Sequence, residues 1–221
     1  MPRIARVVVP EIPHHITQRG NRNQIVFFSD DDRVAYLELI KRFSLQNGVK
    51  IWAYCLMDNH VHFVAVPGAE EDLRACFQEA HRLYTRRINF REGWRGYLWQ
   101  GRFASFPMDE KYLVAAIRYV ERNPIVAGIV KKAEDYPWSS AKAHVLQVKD
   151  PLLSPCFLSE EIPDWSSFLR DEDDNGVKIL EKSIRTGRPL GSTDFVERLE
   201  SLLGRDLKRK KPGRRPRVLV N

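Results

Sequence analysis

Two histidines one residue apart, His60 and His62, stand in a run from Met57 to Pro67 that is otherwise apolar and β-branched. Such a run reads as a buried strand, and the period-two geometry of a strand puts both imidazoles on one face. Neutral imidazole is a common ligand for divalent metals, so two of them on one rigid strand can share a cation. Two ligands do not complete a site, however, and the plain alternative is a pair of polar residues at a strand edge. Sixty residues on, the segment 109–123 brings a second candidate set. Asp109 is placed to cap a helix, and Leu113, Ala116, Ile117 and Val120 recur at helical spacing. Tyr119 and Asn123 fall one turn apart on another face, where a phenol could act as nucleophile and a carboxamide oxygen as third metal ligand. The alternative is a half-buried packing tyrosine and an asparagine that ends the helix before Pro124.

The elements that must position these groups follow from the same patterns. A strand is expected at about 14–19, turning at Arg19, Gly20 and Asn21. A helix over about 31–47 is capped by Ser29 or Asp30, carries the stripe Val34, Leu37, Ile40 and Phe43, and ends at Asn47 and Gly48. Strands at about 49–57 and 60–66 join through Asp58 and Asn59 as a hairpin. A helix over about 71–90 packs Leu73, Phe77, Ala80, Leu83, Tyr84 and Ile88, and shows arginines on its other side. A strand near 98–106 precedes the Tyr119 helix. This alternation fits an α+β sandwich. His14 and His15 point opposite ways along their strand, which excludes them as a two-ligand pair on one face; His81 and His144 read as non-ligands. Trp94, Tyr97, Trp99, Arg102 and Phe103 cluster before the Tyr119 helix, and such interleaving can stack unpaired bases and hold phosphates, or supply core.

Composition bounds the function. The chain has 221 residues, 43% hydrophobic and 10% aromatic, enough for one substantial domain and an appendage. Three widely separated cysteines fit reduced intracellular thiols, and no run approaches the length of a membrane span or a signal peptide; a cytoplasmic, nucleoid-associated protein is expected. The net charge of +7 is local. Residues 205–217 hold eight basic side chains against Asp206 alone, and the remainder carries 28 of each sign. A tail rich in Lys, Arg, Pro and Gly, including Lys210, Arg214 and Arg215, reads as a disordered arm for a polyanion, with some likeness to a minor-groove arm. Residues 148–175 read as an acidic, proline-containing connector. Beyond it, short helices at 177–183 and 193–203 flank a turn containing Arg188, a helix-turn-helix-like spacing suited to gripping DNA.

The chain resembles the REP-associated tyrosine transposases, relatives of the single-tyrosine HUH transposases that process single-stranded DNA. The resemblance covers roughly residues 3–145. It rests on His15-Ile16-Thr17-Gln18-Arg19-Gly20-Asn21, on Tyr54 through His62, on Leu98-Trp99-Gln100-Gly101-Arg102-Phe103, and on Tyr119 through Val130, in family order, followed by Pro137-Trp138-Ser139-Ser140. It implies a ferredoxin-like antiparallel sheet flanked by helices over residues 1–147, with 176–204 as a helical DNA-binding appendage and 205–221 as the basic tail. It further implies Tyr119 as nucleophile, His60 and His62 as ligands of Mg²⁺ or Mn²⁺, and Asn123 where relatives often use glutamine as third ligand. Arg19, Gly20 and Asn21 lie, in that family, against bound DNA. The expected activity is cleavage and rejoining of single-stranded DNA at hairpin-forming repeats through a 5′-phosphotyrosine, by a monomer or homodimer. The rival is a non-enzymatic DNA-binding regulator that keeps the scaffold. A zinc hydrolase is weaker, because no Asp, Glu or further His lies nearby in a ligand pattern.

Overall fold

The computed structural model describes residues 5–171 and 187–208. Four strands, β1 (His14–Arg19), β2 (Lys50–Met57), β3 (His60–Val66) and β4 (Ala104–Pro107), form one antiparallel sheet in the order β2-β3-β1-β4. With α1 (Asp30–Gln46) between β1 and β2, and α2 (Glu79–Glu92) between β3 and β4, this is the ferredoxin-like α+β arrangement. A third long helix, α3 (Glu110–Val126), follows β4.

Alternation along the strands divides the core in two. Ile16, Tyr54, Leu56, Val61, Phe63 and Ala65 pack with Tyr36 and Ile40 of α1, with Phe77 in the helical turn before α2, and with Tyr84 and Ile88 of α2. Cys55, Met57, Val64 and Phe106 pack instead with Leu113, Ala116, Ile117 and Val120 of α3. Leu113, Ala116, Ile117 and Val120 are the stripe expected from spacing, and Asp109 caps the helix by accepting from the Tyr112 amide at 3.1 Å. Its other carboxylate oxygen accepts from the Ser192 amide at 2.7 Å, so one residue anchors both α3 and the later helix at Thr193–Leu203.

Three local expectations differ from what forms. The stripe on α1 is rotated: Val34 is exposed, while Asp32, Arg33, Tyr36, Ile40 and Ser44 are buried. Polar anchors set that rotation, because Arg33 is paired with Asp58 in the β2–β3 turn and Asp32 with Arg91 of α2. The strand expected near 98–106 forms only as the four residues Ala104–Pro107 at its end. Gly101, at φ +72°, breaks the extended run, and Trp99 and Phe103 turn into the first core. Helix α3 also continues through Pro124, which falls in its last turn.

Among the described residues, four shorter helices follow: α4 (Ala141–Leu146), α5 (Leu158–Glu161), α6 (Trp165–Arg170) and α7 (Thr193–Leu203). Within the segment read as an acidic connector, Trp165, Phe168 and Leu169 are buried against the α3 core. Glu121 of α3, fully buried, accepts from Trp165 Nε1 at 2.7 Å, pairs with His144 Nδ1 at 2.6 Å and is bonded by Ser140. Helix α7 lies against Val7 and Val9 of the N-terminal arm. The helix expected at 177–183 and the tail from residue 209 lie outside the described residues. Among those described, no helix is long and apolar enough to cross a membrane.

Candidate active site on the α3 face of the sheet

The register of β1 against β3 pairs Thr17 with His62 and Arg19 with His60. Opposed residues in antiparallel strands share a face, so His15, Thr17 and Arg19 lie on the same side as His60 and His62. That side is covered by α3, and the Tyr119 ring stands edge-on to the His62 ring with centroids 5.3 Å apart. The His60 and His62 rings are 5.0 Å apart and perpendicular. Tyr119 is half-buried, and Asn123, one turn on, lies beside the His60 side chain and donates Nδ2 to the Tyr119 carbonyl at 2.8 Å. Sequence separation of sixty residues thus closes to contact: both imidazoles, the phenol and the carboxamide meet between β3 and α3.

Hydrogen bonds outside this group decide which nitrogens it can offer. Asn59 donates Nδ2 to the Asn23 carbonyl at 3.2 Å, which turns its oxygen toward His60 Nδ1 at 2.6 Å. The Nδ1 proton is therefore committed, and the lone pair of neutral His60 sits on Nε2. His62 is 2% exposed; its Nδ1 lies 2.9 Å from His15 Nε2, the two rings are stacked at 12°, and its Nε2 is buried without a partner. A buried imidazole nitrogen with no partner costs free energy unless something binds it. Burial, reinforced by Arg19, lowers the His60 pKa to about 4. Burial, then His15, His60 and Arg19, hold His62 well below the ordinary range, and burial brings His15 to about 4. The imidazoles are neutral at physiological pH, the form that binds metal. Two histidine nitrogens and a carboxamide oxygen fit an open site for a hard divalent cation completed by substrate or water oxygens. Among the described residues, no three His, Cys, Asp or Glu side chains are grouped to hold a metal.

His15 is the site residue that sequence reasoning missed. Strand alternation excluded the adjacent pair His14 and His15 as joint ligands, but it also required one of them to share a face with His60 and His62 once β1 lay beside β3. The other, His14, is buried, donates Nδ1 to the Ile12 carbonyl at 2.7 Å and accepts from the Val9 amide at 3.3 Å, tying down the N-terminal arm. His81 is core, 2.9 Å from the Tyr36 hydroxyl.

The remaining candidates are spread out. Arg19 is exposed at the end of β1, beside His60. Gly20 is buried and its amide donates to the Asn59 carbonyl at 2.8 Å; a Cβ there would stand 2.2 Å from the Gln24 carbonyl oxygen. It shapes the turn that carries Arg19 and Asn21 and has no donor left for DNA. Asn21 is half-buried at the turn, its amide on the Leu98 carbonyl. Arg102 is exposed on the opposite, α2 side, at a cavity. Arg188 bonds the Leu207 carbonyl beside α7. Lys210, Arg214 and Arg215 lie outside the described residues.

The antiparallel sheet with its flanking helices has counterparts among known proteins, and these give its family. The model of the IS200-like transposases matches residues 9–123, which spans all four strands, His60, His62, Tyr119 and Asn123. The chain belongs to the IS200-like transposase family. Among solved structures it is similar to a REP-associated tyrosine transposase bound to a REP hairpin, with a TM-score of 0.54 and 19% identity over 71% of this chain and 93% of that one. A proposed transposase from Deinococcus radiodurans R1, 18% identical over 55% of this chain and 97% of that one, aligns with a TM-score of 0.38. No curated protein matches the chain significantly.

Proposed function

We propose that this chain is a metal-dependent single-stranded DNA transesterase that nicks and rejoins strands at hairpin-forming repeats, with Tyr119 as nucleophile. The observation that carries the reading is the meeting of the Tyr119 ring with the His62 ring, whose Nε2 is buried and unpartnered. His60, His62 and Asn123 would hold Mg²⁺ or Mn²⁺; when bound, the cation supplies Lewis-acid stabilisation of charge on the scissile phosphate. The chain's own groups do the rest. Tyr119, fixed on α3 by the packed stripe beneath it, presents its oxygen to phosphorus; the Tyr119 Oη–P bond forms and the P–O3′ bond breaks, leaving a 5′-phosphotyrosine and a 3′-hydroxyl. The phenolic proton passes to solvent and the leaving 3′ oxygen takes one up. Because the phosphodiester energy is kept in the covalent link, a later 3′-hydroxyl can reverse the step without a nucleotide cofactor. Arg19, beside His60, is placed to contact a phosphate next to the scissile one.

In this reading, residues 1–147 form the catalytic domain, 148–175 a connector whose described part docks on α3, 176–204 a DNA-gripping appendage with Arg188, and 205–221 a basic arm with Lys210, Arg214 and Arg215. The partner is hairpin and single-stranded DNA, the compartment the cytoplasm and its nucleoid, and the protein acts as a monomer or homodimer. The test is a repeat-hairpin oligonucleotide incubated with Mn²⁺ and resolved on denaturing gels. Wild type is expected to give a covalent adduct that maps to Tyr119 by mass spectrometry. Tyr119→Phe should abolish it while hairpin affinity stays within about twofold, since one hydroxyl among many phosphate contacts contributes little to binding. Tight binding with no adduct from wild type on any repeat of its own genome would favour the non-enzymatic regulator.

A further inference from the structure

Helix α3 carries Tyr119 on one flank of its packed stripe and a buried carboxylate on the other. Tyr119 and Glu121 lie two residues apart, about 200° around the helix, with Val120 of the stripe between them. Glu121 is fully buried, a costly place for a carboxylate unless its oxygens are bonded. One oxygen accepts from Trp165 Nε1 at 2.7 Å; the other meets His144 Nδ1 at 2.6 Å and accepts from the Ser140 hydroxyl. Ser140 leads back to the sheet. Its amide donates to the Tyr54 carbonyl at 3.0 Å, and its Oγ accepts from the Tyr54 amide at 3.0 Å. Next to Tyr54 in β2 is Cys55, which stands opposite His62 of β3. Along the same stretch of α3, Arg118 donates Nε to the Phe168 carbonyl at 3.0 Å and Arg122 donates to the Arg170 carbonyl at 3.3 Å, which holds α6 against the helix.

We propose that Glu121 is a positioning residue for Tyr119: it fixes the rotation of α3 relative to the sheet and so sets the aim of the phenol. The inference rests on the function proposed above. Apolar contact holds α3 down but has no direction. A turn of about 10° moves a group about 6 Å from the helix axis by about 1 Å, and a misplacement of that size can slow a reaction by as much as about 100-fold. Hydrogen bonds from three side chains to two oxygens resist such a turn, because rotation lengthens or bends them. The path from Glu121 through Ser140 to Tyr54 makes β2 the reference, and β2 is paired with the strand that carries His60 and His62. Nucleophile and imidazoles sit on different elements, and this path registers one against the other without touching either.

The test separates aim from binding and from folding. Glu121→Leu keeps bulk and removes both oxygens. Glu121→Gln keeps the bonding pattern, since its oxygen can accept from Trp165 while its amide donates to Ser140 Oγ and His144 Nδ1. Trp165→Phe removes one donor and keeps a ring. With a repeat hairpin and Mn²⁺, Glu121→Leu should slow single-turnover adduct formation roughly 10- to 100-fold while hairpin affinity in EDTA stays within about twofold. Glu121→Gln should recover to within about threefold of wild type, and Trp165→Phe should fall between the two. Fluorotyrosine labelling gives a readout that needs no cleavage: the resonance identified by its loss in Tyr119→Phe should shift or broaden in Glu121→Leu and stay in place in Glu121→Gln. Urea midpoints report which variants are folded under assay conditions; should Glu121→Leu not fold, Trp165→Phe decides alone, by rate and by resonance. A normal rate in the folded variants, equal slowing by Leu and Gln, or affinity lost in step with rate would each overturn the proposal. Absence of an adduct from wild type counts against the transesterase reading, whereas an unmoved Tyr119 resonance in Glu121→Leu counts against the positioning role, so the two failures are distinguishable.

Discussion

The two faces of one sheet treat the same residue type in opposite ways. On the α1–α2 face, His81 is fully enclosed by Tyr36, Phe77, Trp99 and Phe103, and the Tyr36 hydroxyl lies 2.9 Å from its Nε2. Burial, then Arg6, lower its pKa to about 3. On the α3 face, His62 is still more deeply buried but keeps one buried nitrogen without a partner, as does His15. A histidine with no buried nitrogen left unpaired contributes to packing; one left incomplete in a dry site is a group kept ready for a ligand. Alternation along β3 makes the contrast sharp, since Val61 and Phe63 face the hydrocarbon layer while His60 and His62 face the tyrosine.

If the α1–α2 face is the stability half, truncating it should cost most. Phe63 is fully buried between Tyr54, Tyr36 and Phe77, and Phe63→Ala should destabilise the chain by about 3–5 kcal/mol, read from the urea midpoint. His62→Ala, one residue away in the same strand, should cost clearly less. A similar loss from both would erase the distinction between the faces.

Acid should act next in size. His14 and His81 are held near about 4 and about 3 against an ordinary 6.5. Above pH 6.5 the unfolded chain is neutral at these positions too, and neither residue makes stability depend on pH. As pH falls below 6.5 the unfolded chain takes up protons that the folded chain refuses, so stability drops, on the order of 2 kcal/mol per residue by pH 5. The loss levels off once pH passes below the folded values. Urea unfolding at pH 7, 6 and 5 measures it, and His81→Gln should flatten the slope by one residue's share. An unchanged slope would mean that His81 is not the closed, neutral core group described above.

Much of this was legible from local pattern. Period two placed His60 and His62 on one face, helical spacing gave the buried stripe of α3, and Ser29 and Asp109 marked helix starts. What stayed hidden depended on long-range partners. The rotation of α1 is set by Asp58 and Arg91, residues far away in sequence. The short β4 follows from Trp99 and Phe103 turning inward around Gly101, which an aromatic run does not distinguish from a strand. The Arg91–Asp32 ion pair, the Glu121 anchor for α4 and α6, and the cavity behind Gln18 likewise depend on segments meeting in space.

His15 is the clearest such case, because its place depends on the register between β1 and β3, and it sharpens the comparison by the smallest change. For His62 to offer an Nε2 lone pair, its proton must sit on Nδ1 and be donated to His15 Nε2 across the observed 2.9 Å. His15 would then orient the ligand without touching the metal. His15→Phe keeps a ring in the slot but leaves His62 Nδ1 without an acceptor, and should weaken Mn²⁺ binding about 10- to 100-fold by calorimetry while the urea midpoint moves little. His15→Gln, whose amide oxygen can accept the same proton, should recover part of that affinity. Binding unchanged in His15→Phe would show that the His62 tautomer is set elsewhere, and the α3 face would then owe its open nitrogen to His60, Asn59 and Asn123 alone.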